Sequence, residues 1–304
     1  MKKHIIILGC ILITYFISNK VGLSLLIPAS QTGFKQTALS LTVDASHHRI
    51  SSDTIHPKGK IINTRFIVPK GFQRLNYTDN SFANYLRKLP LKPIGSPVKL
   101  YDGSDKPNHD TYEAVVDLPI GKKNLHQCAD AIMRLQAEYL WKQNRYDEIH
   151  FNFTNGFRAP YTKWMQGNRV VVNGNKCYWK KKVKPSNTYK TFWSYLETIF
   201  MYAGTLSLSK ELIAVSIANL QIGDIFIQGG SPGHAIIVVD IAVNPINKQK
   251  AFLLAQSYMP AQEIQVLKNP NHSTAWYFTP SLNGSLVSPE WTFEVSDLKR
   301  FPPK

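Results

Sequence analysis

Residues 222–239 read Ile-Gly-Asp-Ile-Phe-Ile-Gln-Gly-Gly-Ser-Pro-Gly-His-Ala-Ile-Ile-Val-Val. Two short apolar runs, Ile225 to Ile227 and Ala235 to Val239, flank a connection containing Gly229, Gly230 and Gly233. Unbroken runs of Ile, Val and Phe bounded by turn residues predict strands at the buried centre of a sheet. The glycine-rich connection lets the chain reverse tightly, so the two strands are expected to pair antiparallel. The same character marks Asp224 to Ile227, Ala235 to Val239, Ala251 to Leu254 and Glu263 to Val266. With helices earlier in the chain to cover such a sheet, the fold class is α+β.

Ser81 to Leu89 predicts a helix with Phe82, Tyr85, Leu86 and Leu89 on one face, ended by Pro90. The clearest helix follows Asn124 as its cap, with Leu125, Cys128, Ala129, Ile132, Leu135, Tyr139 and Leu140 at three-and-four spacing through Trp141. Lys190 to Ala203 and Ser209 to Ala218 are further helix candidates. Arg65 to Val68, Glu113 to Leu118 and Ile149 to Thr154 read as strands, the last ending in the turn Asn155, Gly156. Residues 90–110, rich in Pro and Gly, read as a loop. No linker or repeat interrupts Ile61 to Phe301, so residues 61–304 are expected to form a single α+β domain with insertions.

The chain has 304 residues and a formal charge of +16, from 36 Lys plus Arg against 20 Asp plus Glu. Its 43 % hydrophobic content excludes a disordered protein, and three cysteines exclude a disulfide scaffold. Lys2 and Lys3 precede the apolar run Ile5 to Ile17, the order of a secretory signal. Residues 1–27 therefore read as a cleaved signal peptide or an uncleaved N-terminal anchor, the chain's one expected membrane attachment. Leu8, Gly9, Cys10 resembles a lipoprotein processing site but sits inside the apolar run. Residues 28–60 read as a flexible polar tether; His47, His48 and His56 within it fit a solvated tail as well as metal ligands.

Loss of residues 1–27 removes Lys2, Lys3 and Lys20 and no acid, leaving +13 on the exported part. An exported basic protein points away from nucleic acid and toward an anionic cell-envelope polymer or peptide substrate, in the periplasm or on the envelope. Lys176 to Lys184 holds five lysines around Tyr178 and Trp179, suited to an anionic ligand or to a solvated basic face. Asn155, Gly156, Arg158, Tyr161, Trp164 and Gly167 combine turn residues and aromatics as a ligand groove or a packed loop does.

His234 stands at the mouth of a strand, where an imidazole can transfer protons or simply cap the strand. Cys128, near a helix start, has the backbone N–H groups that favour a thiolate, yet it also lies on the helix's apolar stripe. Cys177 lies in an irregular basic segment, and a Cys128–Cys177 disulfide is a third possibility in an oxidising compartment. Ser257 has no nucleophile-elbow glycines. With neither a phosphate-binding glycine loop nor a zinc-hydrolase His-Glu spacing, no cofactor and no metal are expected.

The order of Cys128 early in a helix, Gly223 and Asp224 opening a strand, His234 leading an apolar strand, and Gln256 ending the next resembles the NlpC-type branch of the papain-like cysteine hydrolases. That resemblance implies a papain-like antiparallel sheet packed against helices. It also implies a thiol peptidase or amidase with Cys128 as nucleophile, His234 as base and Gln256 orienting the imidazole. Ala129 and Asp130 stand where that family has Ser-Gly. Across most of residues 65–280 the chain is also similar to an uncharacterised family of exported bacterial proteins, domain of unknown function 4846. The segments Leu89 to Asp102, Cys128 to Tyr139, Pro232 to Asp240 and Leu254 to Pro270 carry that likeness, which implies no activity. The alternative to a hydrolase is a non-catalytic envelope-binding or structural protein that buries Cys128 in its core.

Overall fold

The apolar runs around His234 become the centre of an antiparallel sheet in a computed structural model, which describes residues 54–303. The expected signal or anchor, His47, His48 and most of the tether lie outside the described residues. The helices are α1 (Ile62–Arg65), α2 (Phe82–Arg87), α3 (Cys128–Lys142), α4 (Tyr161–Met165), α5 (Tyr189–Tyr202) and α6 (Thr205–Glu211). The first eight strands are β1 (Gln73–Arg74), β2 (Tyr112–Val115), β3 (His150–Asn152), β4 (Arg158–Pro160), β5 (Asn168–Asn173), β6 (Lys176–Lys181), β7 (Ile213–Ala214) and β8 (Ile225–Gln228). They are followed by β9 (His234–Val243), β10 (Lys250–Gln256), β11 (Gln265–Leu267), β12 (Tyr277–Phe278), β13 (Ser285–Val287), β14 (Thr292–Glu294) and β15 (Leu298–Arg300).

The main sheet runs β2-β11-β10-β9-β8-β15-β7, with β1 also pairing β9 and β12 also pairing β10. Every pairing is antiparallel, so the fold class is α+β as the sequence predicts. His234 to Ala242 on β9 are all buried, which explains why this strand has no polar alternation. Its one carboxylate, Asp240, is fully buried between the guanidinium groups of Arg74 and Arg87, each at 2.7 Å. That pair of contacts ties β1 and α2 to the middle of the sheet. Helices α2 and α3 pack against β9, and α3 is flanked by α5 and α6.

Local expectations hold where one element satisfies its own signals. Ser81 caps α2 by accepting from the Asn84 N–H at 3.1 Å, and Leu86 and Leu89 are buried. The hairpin β3–β4 turns at Gly156, with φ of 85°.

Two assignments change. Arg65 to Val68 is not a strand: Ile62 and Phe66, four residues apart, both enter the core, and the single turn α1 puts them on one face. Ser209 to Ala218 is not one helix, because α6 starts at Thr205 and Ile213–Ala214 is drawn onto the sheet edge by β15. Residues 54–60, at the end of the expected tether, are docked. Ile55 bridges Phe66, and a Cβ on Gly59 would lie 2.4 Å from the Thr64 carbonyl oxygen.

Candidate active site

Backbone geometry places His234. Gly233 immediately before it has no room for a side chain, since a Cβ there would meet Thr205 Oγ1 at 2.5 Å and the Gln228 and Gly230 carbonyl oxygens at 2.8 Å. The chain thus enters β9 pressed against α6 and the end of β8, with His234 paired to Gln228. His234 is 1 % exposed, and its ring is surrounded by Tyr258, Trp291 and Phe293 at centroid distances of 4.9, 5.4 and 5.9 Å.

His234 Nε2 lies 2.8 Å from Gln256 Oε1, at the end of β10. The amide nitrogen of Gln256 donates to Glu290 Oε2 at 2.6 Å. A carboxylate only accepts, so the Gln256 oxygen must face the imidazole, and His234 Nε2 carries the donated proton. Nδ1 is left with a free lone pair. Glu290 is held in turn by Lys106 Nζ at 2.6 Å, and Lys106 also donates to Gln265 Oε1 at 3.4 Å. Burial brings the imidazole pKa down to about 4, opposed by the Gln256 hydrogen bond and assisted by the Lys106 charge.

Cys128 is the first residue of α3, which corrects the expectation that it lies one turn inside a helix capped by Asn124. Asn124 Oδ1 accepts instead from the Ala261 N–H at 2.8 Å, and the helix begins after Gln127, whose N–H donates to Asp130 Oδ2 at 3.0 Å. Ser257 Oγ spans the His126 and Gln262 carbonyl oxygens at 2.9 and 2.8 Å, fastening the turn before Cys128 to the end of β10. Ser257 is therefore a structural clasp.

The backbone N–H groups of Ala129 and Ala235 favour the Cys128 thiolate. Ala235 is the next residue after His234, and α3 packs on β9, so the start of α3 lies against the strand that His234 opens. Cys128, 8 % exposed, has its pKa pushed up to about 11 by burial, which outweighs the stabilising N–H groups. Thiol and imidazole are both neutral at pH 7. Tyr258 lies 4.9 Å from the His234 ring, its phenol pKa raised by burial and by the charge of Glu290.

The structure thus joins His234 and Gln256 directly, from the start of β9 and the end of β10, and sets Cys128, at the start of α3, near the backbone of Ala235. It does not bring Cys177 there. That residue sits on β6 in a regular hairpin, not an irregular segment, 3.2 Å from Asn155 Nδ2. Both cysteines are free, so the Cys128–Cys177 disulfide is absent. Asp224 at the strand opening pairs with Arg300 at 2.5 Å and braces the turn at Gly223. Tyr161 and Trp164 are buried against Tyr195, as a packed loop requires, and His56 is exposed. Glu290, Lys106, Tyr258 and Trp291 were not singled out by sequence reasoning, because each sits in a loop with no local motif.

The family described as domain of unknown function (4846) matches residues 62–300. The chain belongs to that family. No curated protein and no solved structure matches it. The match covers every residue of the cluster within this family's domain, from Lys106 through Cys128, His234 and Gln256 to Glu290. Among the described residues, no group of three His, Cys, Asp or Glu side chains is arranged to hold a metal, and no helix is long and apolar enough to cross a membrane.

Proposed function

We propose that this protein is an exported thiol hydrolase that cleaves an amide or peptide bond of an anionic cell-envelope polymer such as peptidoglycan, with an NlpC-like, papain-like arrangement of its site. The observation that carries the reading is the Cys128 sulfur beside Ala235, with the adjacent His234 held through Nε2 by Gln256. His234 Nδ1 takes the thiol proton as sulfur attacks the carbonyl carbon, converting a neutral pair into a thiolate and imidazolium only when substrate engages. The backbone N–H groups at the start of α3 stabilise the oxyanion. The imidazolium then returns its proton to the leaving amine, and water, deprotonated by His234, hydrolyses the thioester to release the acid. The signal or anchor at residues 1–27 and the net basic charge support action at the envelope.

A second reading rests on the same burial: a thiol 8 % exposed with a pKa near 11 is also what an inert core cysteine shows, in an envelope-binding or structural protein. Assay of release from peptide-crosslinked envelope polymer separates the two. The hydrolase reading expects Cys128→Ala to lose activity by at least about 100-fold. Unchanged release in that variant, or a Cys128 that resists a thiol-reactive probe throughout pH 6–9 in the folded protein, favours the binding protein.

A further inference from the structure

From Ile149 to Leu196 the chain contains no Asp or Glu and nine Lys or Arg, over half of its formal +16. The densest part is the β5–β6 hairpin, whose register pairs Asn173 with Lys176, Val171 with Tyr178 and Arg169 with Lys180. One face packs inward, with Trp179 against Phe157 at 5.8 Å and Val170 against the core. Side chains alternate along a strand, so Lys176, Tyr178 and Lys180 share the opposite face. Tyr178 is 52 % exposed, and neither lysine forms an ion pair among the described residues. Same-face neighbours are about 7 Å apart, which puts an open aromatic ring between two cations about 14 Å apart.

We infer that this face binds a linear acidic glycan, with a sugar ring stacked on Tyr178 and the anionic groups of neighbouring sugars on Lys176 and Lys180. Charge complementarity supplies the attraction, and the exposed ring supplies a flat apolar surface suited to a pyranose. A membrane surface suits the hairpin less, because its tip, Asn173 to Asn175, is wholly polar and offers no apolar wedge. The binding face contains no residue of the Cys128 cluster, so it stands whether or not that cluster is catalytic.

Calorimetric titration of the full chain with polygalacturonate, dextran and phosphatidylglycerol vesicles tests this. Polygalacturonate is expected to bind with an affinity that falls as salt rises, and dextran not to bind. Tyr178→Ala should weaken binding about 10-fold with the salt dependence unchanged, and the double change Lys176→Glu with Lys180→Glu should weaken it at least about 30-fold. The same charge change at exposed Lys58 and Lys122 should stay within about 3-fold of wild type. Binding to vesicles but not to polygalacturonate overturns the inference. So does equal loss in the two double variants, which would mean diffuse attraction by net charge, or an unaffected Tyr178→Ala. Because these side chains are exposed, matched thermal unfolding midpoints show that lost binding is not lost folding.

Discussion

Glu290 determines which nitrogen of His234 holds a proton, although it does not touch the imidazole. Its carboxylate can only accept, so it turns the Gln256 amide to present oxygen to Nε2 and keeps Nδ1 basic. Glu290→Gln removes that constraint, since a glutamine can accept or donate and lets the Gln256 amide flip. On the proposed hydrolase reading Glu290 is thus a positioning residue, and the substitution is expected to lower that hydrolysis about 10- to 100-fold and to shift the pH profile of Cys128 alkylation. Glu290→Asp, which keeps the acceptor, should recover part of both. A purely structural Glu290 would change the unfolding midpoint and leave the pH profile where it was. Cys128, His234 and Gln256 stand out as candidates in the sequence because each sits at the end of a regular element. Glu290 and Lys106 do not, because their partners are 34 and 184 residues away.

At the scale of elements, the site depends on how tightly the strand starts are fixed. Gly223 closes the turn before β8 with φ of 93°, and a Cβ there would lie 3.0 Å from the Phe82 ring of α2. Gly223→Ala is therefore expected to destabilise the domain by about 1–2 kcal/mol from the left-handed backbone alone, read as a lower urea midpoint. The four central strands were visible as short apolar runs, and α5 as a helical repeat. The start of α3 was misplaced because Asn124, a good capping residue by type, spends its side-chain oxygen on the Ala261 N–H. Nothing near position 124 in the sequence points to that competing donor.

Across the whole molecule, two buried histidines couple folding to pH. Burial lowers the pKa of His234 to about 4 and that of His126 to about 3, the latter helped by the Arg134 charge. Both are neutral in the folded protein and bind a proton near pH 6.5 once unfolded. The unfolded state thus holds more protons between about pH 6.5 and 4, so stability is complete above that window and falls as pH drops through it. Each histidine contributes up to about 1.4 kcal/mol per pH unit there. The histidine part should lower urea midpoints from pH 7 to 4.5, offset in part by Asp130 and Glu113, whose carboxyl pKa values burial raises, and His126→Phe should make the decline shallower. A His126→Phe variant with the same pH dependence as wild type would mean that the His126 ring is solvated.

The α+β class, the antiparallel centre and the likeness to the family are legible in the chain, which also marks Cys128, His234 and Gln256 as candidates. Each rests on local pattern: apolar runs, turn glycines and residue types at element ends. Tertiary structure alone decided that Cys128 begins its helix beside Ala235, that the Cys128–Cys177 disulfide is absent, and that thiol and imidazole are both neutral. Proximity and desolvation depend on which distant segments cover a group, and here Trp291, Phe293 and Glu290 close over a histidine from more than fifty residues further along the chain.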